Sequence, residues 1–312
     1  MAKYVAKRIL WMIPVVLGVA ILIFSIMFFT PGDPAKIILG NDATEESIAQ
    51  LRHTMKLDQP YMIQLGNYLK QTFLDFDFGK SYYTSKPVFS EIMERFPYTL
   101  LLAASAILIS LLVGIPLGTI AAVNQNKLGD RASMIVALLG VSMPQFWVGL
   151  LLVLLVSLKW KLLPASGIGG MEYFILPILA NSLGGVASMA RQTRSSMLEV
   201  IRSDYITTAR AKGVSRFSTI FGHALPNALI PVITVAGTSF GRSLGGTVVI
   251  ETVFSIPGIG YYMINGINNR DLPIIRGSVV FLAVTFSVVM LLVDLLYAFI
   301  DPRIKAQYEG KR

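Results

Sequence analysis

The chain has 312 residues, of which 54% are hydrophobic and only 14% are charged, and its mean hydropathy is +0.63. Charged residues make up about a quarter of an ordinary soluble domain, so this composition excludes one. The formal net charge is +9, but the basic residues gather at the ends of apolar stretches, which argues against a nucleic-acid partner. The absence of cysteine excludes a disulfide framework and a thiolate metal site, and two histidines are too few to predict a metal site.

Six stretches are apolar and long enough to cross a lipid bilayer, which takes about 20 helical residues. In chain order they are Ile9–Phe29, Tyr98–Val123, Ala132–Leu158, Tyr173–Ala190, Ala224–Ile250 and Gly277–Ile300. A helix satisfies its own backbone hydrogen bonds in lipid, so we predict an all-α integral membrane protein with six transmembrane helices. The fourth stretch contains Pro177, Gly184 and Gly185, which predict an interrupted or tilted span.

The first apolar stretch follows Lys3, Lys7 and Arg8, as the apolar part of a signal peptide would. However, the stretch is long, and no small-residue cleavage pattern comes after it. We therefore predict a retained membrane anchor.

The distribution of Lys and Arg predicts the orientation of the spans. With the N-terminus inside, the inner segments carry fifteen basic and five acidic residues, whereas residues 30–96 carry seven basic and nine acidic residues. The inner basic residues are Lys3, Lys7, Arg8, Lys127, Arg131, Arg191, Arg194, Arg202, Arg210, Lys212, Arg216, Arg303, Lys305, Lys311 and Arg312. We predict a multi-pass protein of the cell membrane with both termini in the cytoplasm.

These patterns divide the chain into an anchor with an external segment, a core of five spans and a cytoplasmic tail. The predicted boundaries are residues 1–96, 97–301 and 302–312. In the external segment, Asp42 and Glu45 are spaced like a capping box and predict a short surface helix that Pro60 ends. A second helical pattern begins at Tyr61.

The stretch Asp204–Pro226, between the fourth and fifth spans, is basic and amphipathic. Gly213 can adopt the left-handed conformation that ends a helix, and Arg210 and Lys212 fall in the last turn, where the helix dipole favours cations. Ser215 is a good N-cap for a second short helix. We predict a bent docking element, called the elbow below. Its predicted site residues are Asp204, Tyr205, Ala209, Arg210, Lys212, Gly213 and Ser215.

Two charges, Arg242 and Asp294, lie inside predicted spans. A charge at the centre of a bilayer costs about 3 kcal/mol or more, so each side chain should face protein or water. Two interpretations stay open: the residues pair with each other across the bundle, or each reaches a separate water-filled crevice.

Between the last two spans, Glu251–Arg276 contains Pro and Gly at a density that excludes one continuous helix. Its apolar residues favour a segment that dips back into the bundle. We interpret this segment as an external gate. Its predicted site residues are Pro257, Gly258, Gly260, Arg270 and Asp271.

The elbow resembles the cytoplasmic loop of permeases of ATP-binding cassette (ABC) importers. That loop reads Glu-Ala-Ala, three residues, Gly, nine residues, Ile, one residue and Leu-Pro. The frame matches at Ala209, Gly213 and Leu225-Pro226, whereas Thr207 and His223 stand at the Glu and Ile positions. Further phrases along nearly the whole chain resemble the dipeptide, oligopeptide and nickel branch of this family, above all its dipeptide permease B type. They are Leu57–Pro60, Asp77–Ser81, Pro87-Val88, Asp204-Tyr205, Thr208–Gly213, His223–Leu229, Ile256–Gly260, Arg270–Pro273 and Asp301–Arg303.

The resemblance implies a type I ABC importer permease fold, with a coupling helix at about residues 200–222. It further implies half of a pathway for di- or oligopeptides, a second homologous permease subunit, two cytoplasmic ATPase subunits and an extracellular substrate-binding lipoprotein. The sequence has no Gly-rich loop of the kind that cradles phosphates, so we expect ATP and Mg²⁺ to be used by the partner subunits. We expect neither a bound cofactor nor a catalytic residue in this chain.

Three alternatives remain. The same architecture could import nickel chelates or glutathione. An ion-coupled secondary transporter is a second possibility, although the sequence has no visible inverted repeat. A membrane hydrolase is the third, since Gly237–Gly241 matches the Gly-x-Ser-x-Gly motif around Ser239; that motif needs a strand-to-helix turn, and here it lies inside a predicted span.

Overall fold

The computed structural model describes residues 2–40 and 42–300, and of residues 2–4 and 297–300 it describes the backbone alone. This part of the chain is helical, and its only strand-like feature is an isolated bridge between Lys80 and Pro87. The predicted tail, residues 302–312, lies outside the described residues, as does the phrase Asp301–Arg303.

Thirteen α-helices follow one another in the described residues, with short π-helical turns after α7 and α10. The first five are α1 (Ala2–Phe29), α2 (Pro34–Leu39), α3 (Glu45–Thr54), α4 (Tyr61–Phe73) and α5 (Val88–Val123). The next five are α6 (Leu128–Ser142), α7 (Gln145–Leu152, continued by Val153–Lys159), α8 (Glu172–Ile201), α9 (Asp204–Ala211) and α10 (Arg216–Ser218, continued by Thr219–Ala224). The last three are α11 (Leu225–Val253), α12 (Ile259–Asn268) and α13 (Leu272–Ile300).

Five helical segments in the described residues are long and apolar enough to cross a membrane, and the bent pair α6–α7 would make a sixth. The sequence predicted a single span from Ala132 to Leu158, whereas the two helices meet at an angle of 96°. The bend lies at Met143-Pro144. Proline has no N–H to donate and keeps the preceding residue out of the helical conformation, so the helix ends there.

The prediction of an interrupted fourth span was wrong. Helix α8 runs without a break through Pro177, Gly184 and Gly185. Pro177 lies in the second turn of the helix, where its missing N–H removes one backbone hydrogen bond. More than half of the most apolar stretch of α8 is buried. Packing therefore overrides the local preference. Gly185 serves a close contact, because a Cβ atom there would collide with Ser110.

Several spans begin earlier than the apolar patterns predicted. Helix α5 starts at Val88, α13 starts at Leu272, and the span that contains α11 runs from Arg216 to Val253. Their first two turns contain charged residues, such as Glu91, Arg216 and Arg276, so hydropathy alone does not detect them. The second half of the elbow is thus the start of a long helix, not a separate short one.

The capping of α3 also differs from the prediction. Thr44, not Asp42, is the N-cap, and its Oγ1 accepts from the Ser47 N–H at 3.3 Å. Thr44 immediately precedes the acidic first turn, where it can reach the third helical N–H. The prediction that Pro60 ends this helix was wrong, since α3 already ends at Thr54 and Pro60 is instead the N-cap of α4.

The described residues form two compact units. The large unit comprises residues 2–6, 100–256 and 288–300, and the small unit comprises residues 7–99 and 257–287, apart from residue 41. The small unit has an apolar core in which Val88 and Ile92 of α5 pack with Ile259 of α12. The large unit is built around α8, which packs against α5, α6 and α11.

Candidate functional sites

The elbow has the helix end that the sequence predicts. Helix α9 stops at Ala211, and Gly213 follows with φ = +81°. The Gly213 N–H donates to the Arg210 carbonyl at 3.0 Å, and the Val214 N–H donates to the Ala209 carbonyl at 3.2 Å. This is the Schellman arrangement, which a glycine stabilises because it has no Cβ.

Ser215 begins the next helix, again as predicted. Its side chain accepts from the Ser218 N–H at 3.3 Å, and its carbonyl accepts from the Thr219 N–H at 2.8 Å. The turn between Gly213 and Ser215 therefore joins two capped helices, which gives the elbow a defined angle.

One side chain anchors α9 to the rest of the large unit. Ile206 is completely buried and packs with Met197 of α8, with Ile220 of the π-helical turn, and with Ala224 and Ala228. The apolar face of α9 is thus attached to both α8 and the start of the span that contains α11.

The opposite face of the elbow is exposed and basic. Asp204, Arg210, Lys212, Gly213 and Ser215 are all exposed. Tyr205 is 46% exposed, and Ala209 is half-buried. An exposed surface with two cations and an aromatic ring has the composition of a docking surface.

An exposed aromatic pair continues this surface beyond Ser215. Phe217 and Phe221 are 72% and 47% exposed, and their ring centroids lie 4.6 Å apart. The sequence predicted helical spacing here but could not show which residues point outward. Ile220, which lies between them in the chain, is buried.

An ion pair that the sequence did not reveal connects α6 to α8. Arg194 donates from Nε to Oδ1 of Asp130 at 2.6 Å and from Nη2 to Oδ2 at 2.7 Å. The Asn126 N–H donates to the same Oδ2 at 2.9 Å. Arg202 at the end of α8 also donates to Gln125, at 3.1 Å. These contacts join the loop before α6 to the helix that leads into the elbow.

Four helical regions of the large unit line an open cavity of about 680 Å³. They are α5, the α6–α7 bend, α8 and α11. The lining is largely polar or small, with few apolar side chains. The polar and glycine residues of the lining are Ser110, Gly140, Gln145, Asn181, Gly184, Gly185, Ser188, Arg191, Ser239, Arg242, Ser243 and Gly246.

Arg242 lies exposed on α11 and lines this cavity. None of the ion pairs among the described residues includes it. Asp294 lies partly buried on α13.

The predicted gate segment contains a short helix, α12, between two breaks, so the prediction that no continuous helix crosses it is confirmed. The Ile259 N–H at the start of α12 donates to Oγ1 of Thr99 at 2.9 Å. Gly258 and Gly260 are buried, Pro257 is partly buried and Arg270 is exposed, with φ = +54°.

Asp271 joins two phrases that are far apart in the sequence. Its Oδ2 accepts from the Ser81 hydroxyl at 2.7 Å and from the Tyr82 N–H at 3.1 Å. A Cβ at Gly79 would lie 3.6 Å from Pro273. The phrases Asp77–Ser81 and Arg270–Pro273 therefore pack together in the small unit.

Arg276 is a further charge that sequence reasoning did not single out. Its guanidinium lies 4.6 Å from the ring centroid of Phe24 and 5.5 Å from that of Tyr68. Such stacking stabilises a cation on an aromatic face. Burial raises the pKa of both Tyr68 and Tyr82 to about 12, so these phenols are neutral near the cation.

The hydrolase motif does not have the geometry that it requires. Ser239 lies inside α11, far from either end of that helix. A nucleophile elbow needs a strand-to-helix turn that exposes the serine. Ser239 is instead one of the polar side chains of the cavity.

The described helices, the cavity and the basic elbow define a multi-pass membrane protein of the permease class. The chain belongs to the family described as "Binding-protein-dependent transport system inner membrane component", whose sequence model matches residues 114–306. The model of the N-terminal part of this family matches residues 1–103. The chain is therefore a permease subunit of an ABC importer, a component of a transport system that depends on a binding protein.

Relatives of similar length support this assignment. A putative peptide transport system permease protein of Brucella abortus is 42% identical over 98% of this chain and 99% of the relative. A dipeptide transport system permease of Alkalihalophilus pseudofirmus is 40% identical over 98% of this chain and 100% of the relative. A glutathione transport system permease of Salmonella choleraesuis is 41% identical over 98% of this chain and 99% of the relative.

The fold also resembles that of a solved transporter. An inward-facing structure of the MetNI methionine ABC transporter aligns with a TM-score of 0.61 and 16% identity, over 70% of this chain and all of the matched chain. At this identity the likeness concerns the fold alone. The all-α permease fold predicted from the sequence is confirmed.

Proposed function

We propose that the chain forms half of the pathway by which an ABC importer takes up short peptides, di- or oligopeptides, that an extracellular binding protein delivers. The observation that carries this proposal is the cavity of about 680 Å³ in the large unit. Ligand pockets typically have volumes of about 300 to 1,000 Å³. The peptide and dipeptide permeases among the relatives support the choice of substrate.

The proposed assembly contains a second, homologous permease subunit and two cytoplasmic ATPase subunits. In this arrangement the elbow is the coupling element, and Tyr205, Arg210 and Lys212 contact an ATPase. The elbow, and with it both termini, then lies in the cytoplasm. The segment around α12 acts as the external gate. ATP and Mg²⁺ are used by the ATPases, and this chain holds no cofactor and catalyses no reaction.

The test is uptake by the complete transporter, reconstituted in liposomes with its binding protein. A mixture of di- to tetrapeptides is offered, and the internal contents are identified by mass spectrometry. We expect uptake that requires both the binding protein and ATP on the side of the ATPases. A transporter with catalytically inactive ATPase subunits serves as the control. Uptake that persists in this control would favour the ion-coupled alternative.

Glutathione is the second candidate substrate, because one relative at 41% identity is a glutathione permease. Adding glutathione and a nickel chelate to the same mixture separates these possibilities. Uptake of glutathione or of the chelate without peptides would overturn the peptide assignment and leave the permease class intact.

A further inference from the structure

The cavity of the large unit contains cations without acidic partners. Of the described residues that line it, Arg191 and Arg242 are charged, and none is Asp or Glu. Both arginines are exposed to this space. The cavity therefore has a positive potential, which attracts anions.

The two arginines lie at different levels of the cavity. Asn181 of α8 donates to Ser243 of α11 at 3.3 Å, which places the neighbouring Arg242 near the level of Asn181. Arg191 lies on α8 about 15 Å further along the helix, at a rise of about 1.5 Å per residue. Ser188 and Ser239 lie on the same lining and add hydroxyl groups.

These arginines differ from a third arginine on the same helix. Arg194 is held by Asp130 through two short contacts. In contrast, Arg191 and Arg242 form neither an ion pair nor a side-chain hydrogen bond with any of the residues that the structure describes. An unpaired charge inside a membrane protein is costly and is typically found on a substrate or ion pathway.

Guanidinium groups suit carboxylates, which they bind through two parallel N–H···O contacts. Every unmodified peptide ends in a carboxylate. An extended dipeptide spans only about 7 Å, which is about half of the separation between the two levels along α8. We propose that Arg242 and Arg191 bind the carboxylate of the transported molecule one after the other as it moves through the cavity. This inference depends on the proposed function, because it assigns the substrate a required anionic group.

The experiment compares free and amidated peptides in the reconstituted transporter. Two mixtures of the same di- to tetrapeptides are offered, one with free C-termini and one with C-terminal amides. The ratio of their initial uptake rates is measured for the wild type, for Arg242→Gln and for Arg191→Gln. The same binding protein serves all variants, so its own preference cancels when a variant ratio is divided by the wild-type ratio.

We expect each glutamine variant to lower the ratio of free to amidated peptide by about tenfold, the effect of losing one charge-assisted hydrogen bond. Lysine at either position keeps the charge but not the bidentate geometry, so it should retain part of the preference for free over amidated peptides. The lysine variants also allow the test where a glutamine variant fails to assemble. Arg131→Gln removes an exposed arginine that does not line the cavity and should leave the ratio unchanged. If the wild type takes up no amide, the uptake rate of the free peptides replaces the ratio.

A third mixture identifies the source of the carboxylate. It contains amidated peptides with one internal Asp. If these peptides enter as fast as the free peptides and lose their faster uptake in the arginine variants, a side-chain carboxylate suffices for binding. If their uptake rates instead equal those of the other amides, the C-terminal carboxylate is required. An unchanged ratio in the glutamine and lysine variants at both positions would overturn the carboxylate site alone. Absence of any peptide uptake by the wild type would instead overturn the proposed function.

Discussion

Asp130 shows how one carboxylate can hold two membrane helices together. It is only 4% exposed, and it accepts both guanidinium contacts from Arg194 as well as a backbone N–H. Removing one member of a buried ion pair leaves the other charge buried without a partner, which destabilises the fold. An exposed ion pair contributes little to the free energy of unfolding. The pair between Lys36 and Glu45 is of the second kind, with side chains 53% and 80% exposed.

We therefore predict that Asp130→Asn lowers the stability of the purified chain by about 2 kcal/mol, because Arg194 keeps its charge but loses a charged partner. The measurement is the thermal unfolding midpoint in detergent, which should fall by several degrees. Glu45→Gln is the control and should shift the midpoint little. Equal midpoints for the two variants would show that the Asp130 contacts do not stabilise the fold.

At the scale of elements, glycines bring α5 and α8 into close contact. A Cβ at Gly114 would lie 2.6 Å from the Cβ of Met189, and a Cβ at Gly118 would collide with the carbonyl of Ala190. The two glycines are one turn apart on α5, a spacing that lets membrane helices approach closely. The sequence shows this Gly-x-x-x-Gly spacing at Gly114 and Gly118 but does not identify the partner helix.

The close contact between α5 and α8 leads to a second prediction. Gly118→Ala should destabilise the protein by about 1 to 3 kcal/mol, because the new methyl group meets backbone atoms that cannot move aside. Gly245→Ala is the matched control, since a Cβ there would meet no atom within 4 Å. Alanine has the higher helix propensity, so the control should be neutral or slightly stabilising. The measurement is the thermal unfolding midpoint of both variants. A Gly118→Ala midpoint equal to that of the wild type would contradict the close packing of α5 and α8.

The helices themselves could largely be predicted, because long apolar stretches and strong caps are local features. Gly213 and Ser215 have the cap geometry that the sequence indicated. The bend at Pro144 and the intact helix at Pro177 could not be predicted, since the outcome for a proline depends on whether neighbouring helices compensate for the lost bond.

The contacts of the candidate sites were less accessible to sequence reasoning. Asp271 was singled out, but its hydrogen bond to Ser81 joins residues far apart in the chain. Asp130 was counted only as one of the acidic residues on the predicted inner side. A single sequence reveals charge and periodicity but not which distant side chains meet, so pairs of this kind come only from the structure.

On the scale of the whole molecule, the elbow and the cavity are connected by covalent structure. Helix α8 lines the cavity through Asn181 and Arg191 and then leads into α9 after two residues. Helix α11 lines the same cavity and is the continuation of the helix that starts at Arg216. Ile206 fixes the elbow between these two helices. A force on the elbow would therefore move two walls of the cavity together, as alternating access requires.

This connection predicts the effect of reversing charge on the elbow. Arg210→Glu and Lys212→Glu should each reduce substrate-stimulated ATP hydrolysis and uptake by about tenfold. Exposed cations on a docking surface contribute both to the association of the two subunits and to their relative alignment. Delivery of substrate by the binding protein should be unchanged. Lys159→Glu reverses an exposed charge at the end of the third span, outside the elbow segment, and controls for the effect of charge reversal itself. Both activities are measured in liposomes that contain equal amounts of assembled complex. If both elbow variants hydrolysed ATP and transported at the wild-type rate, these cations would not contribute to coupling, and the exposed Phe217 and Phe221 would be the next residues to substitute.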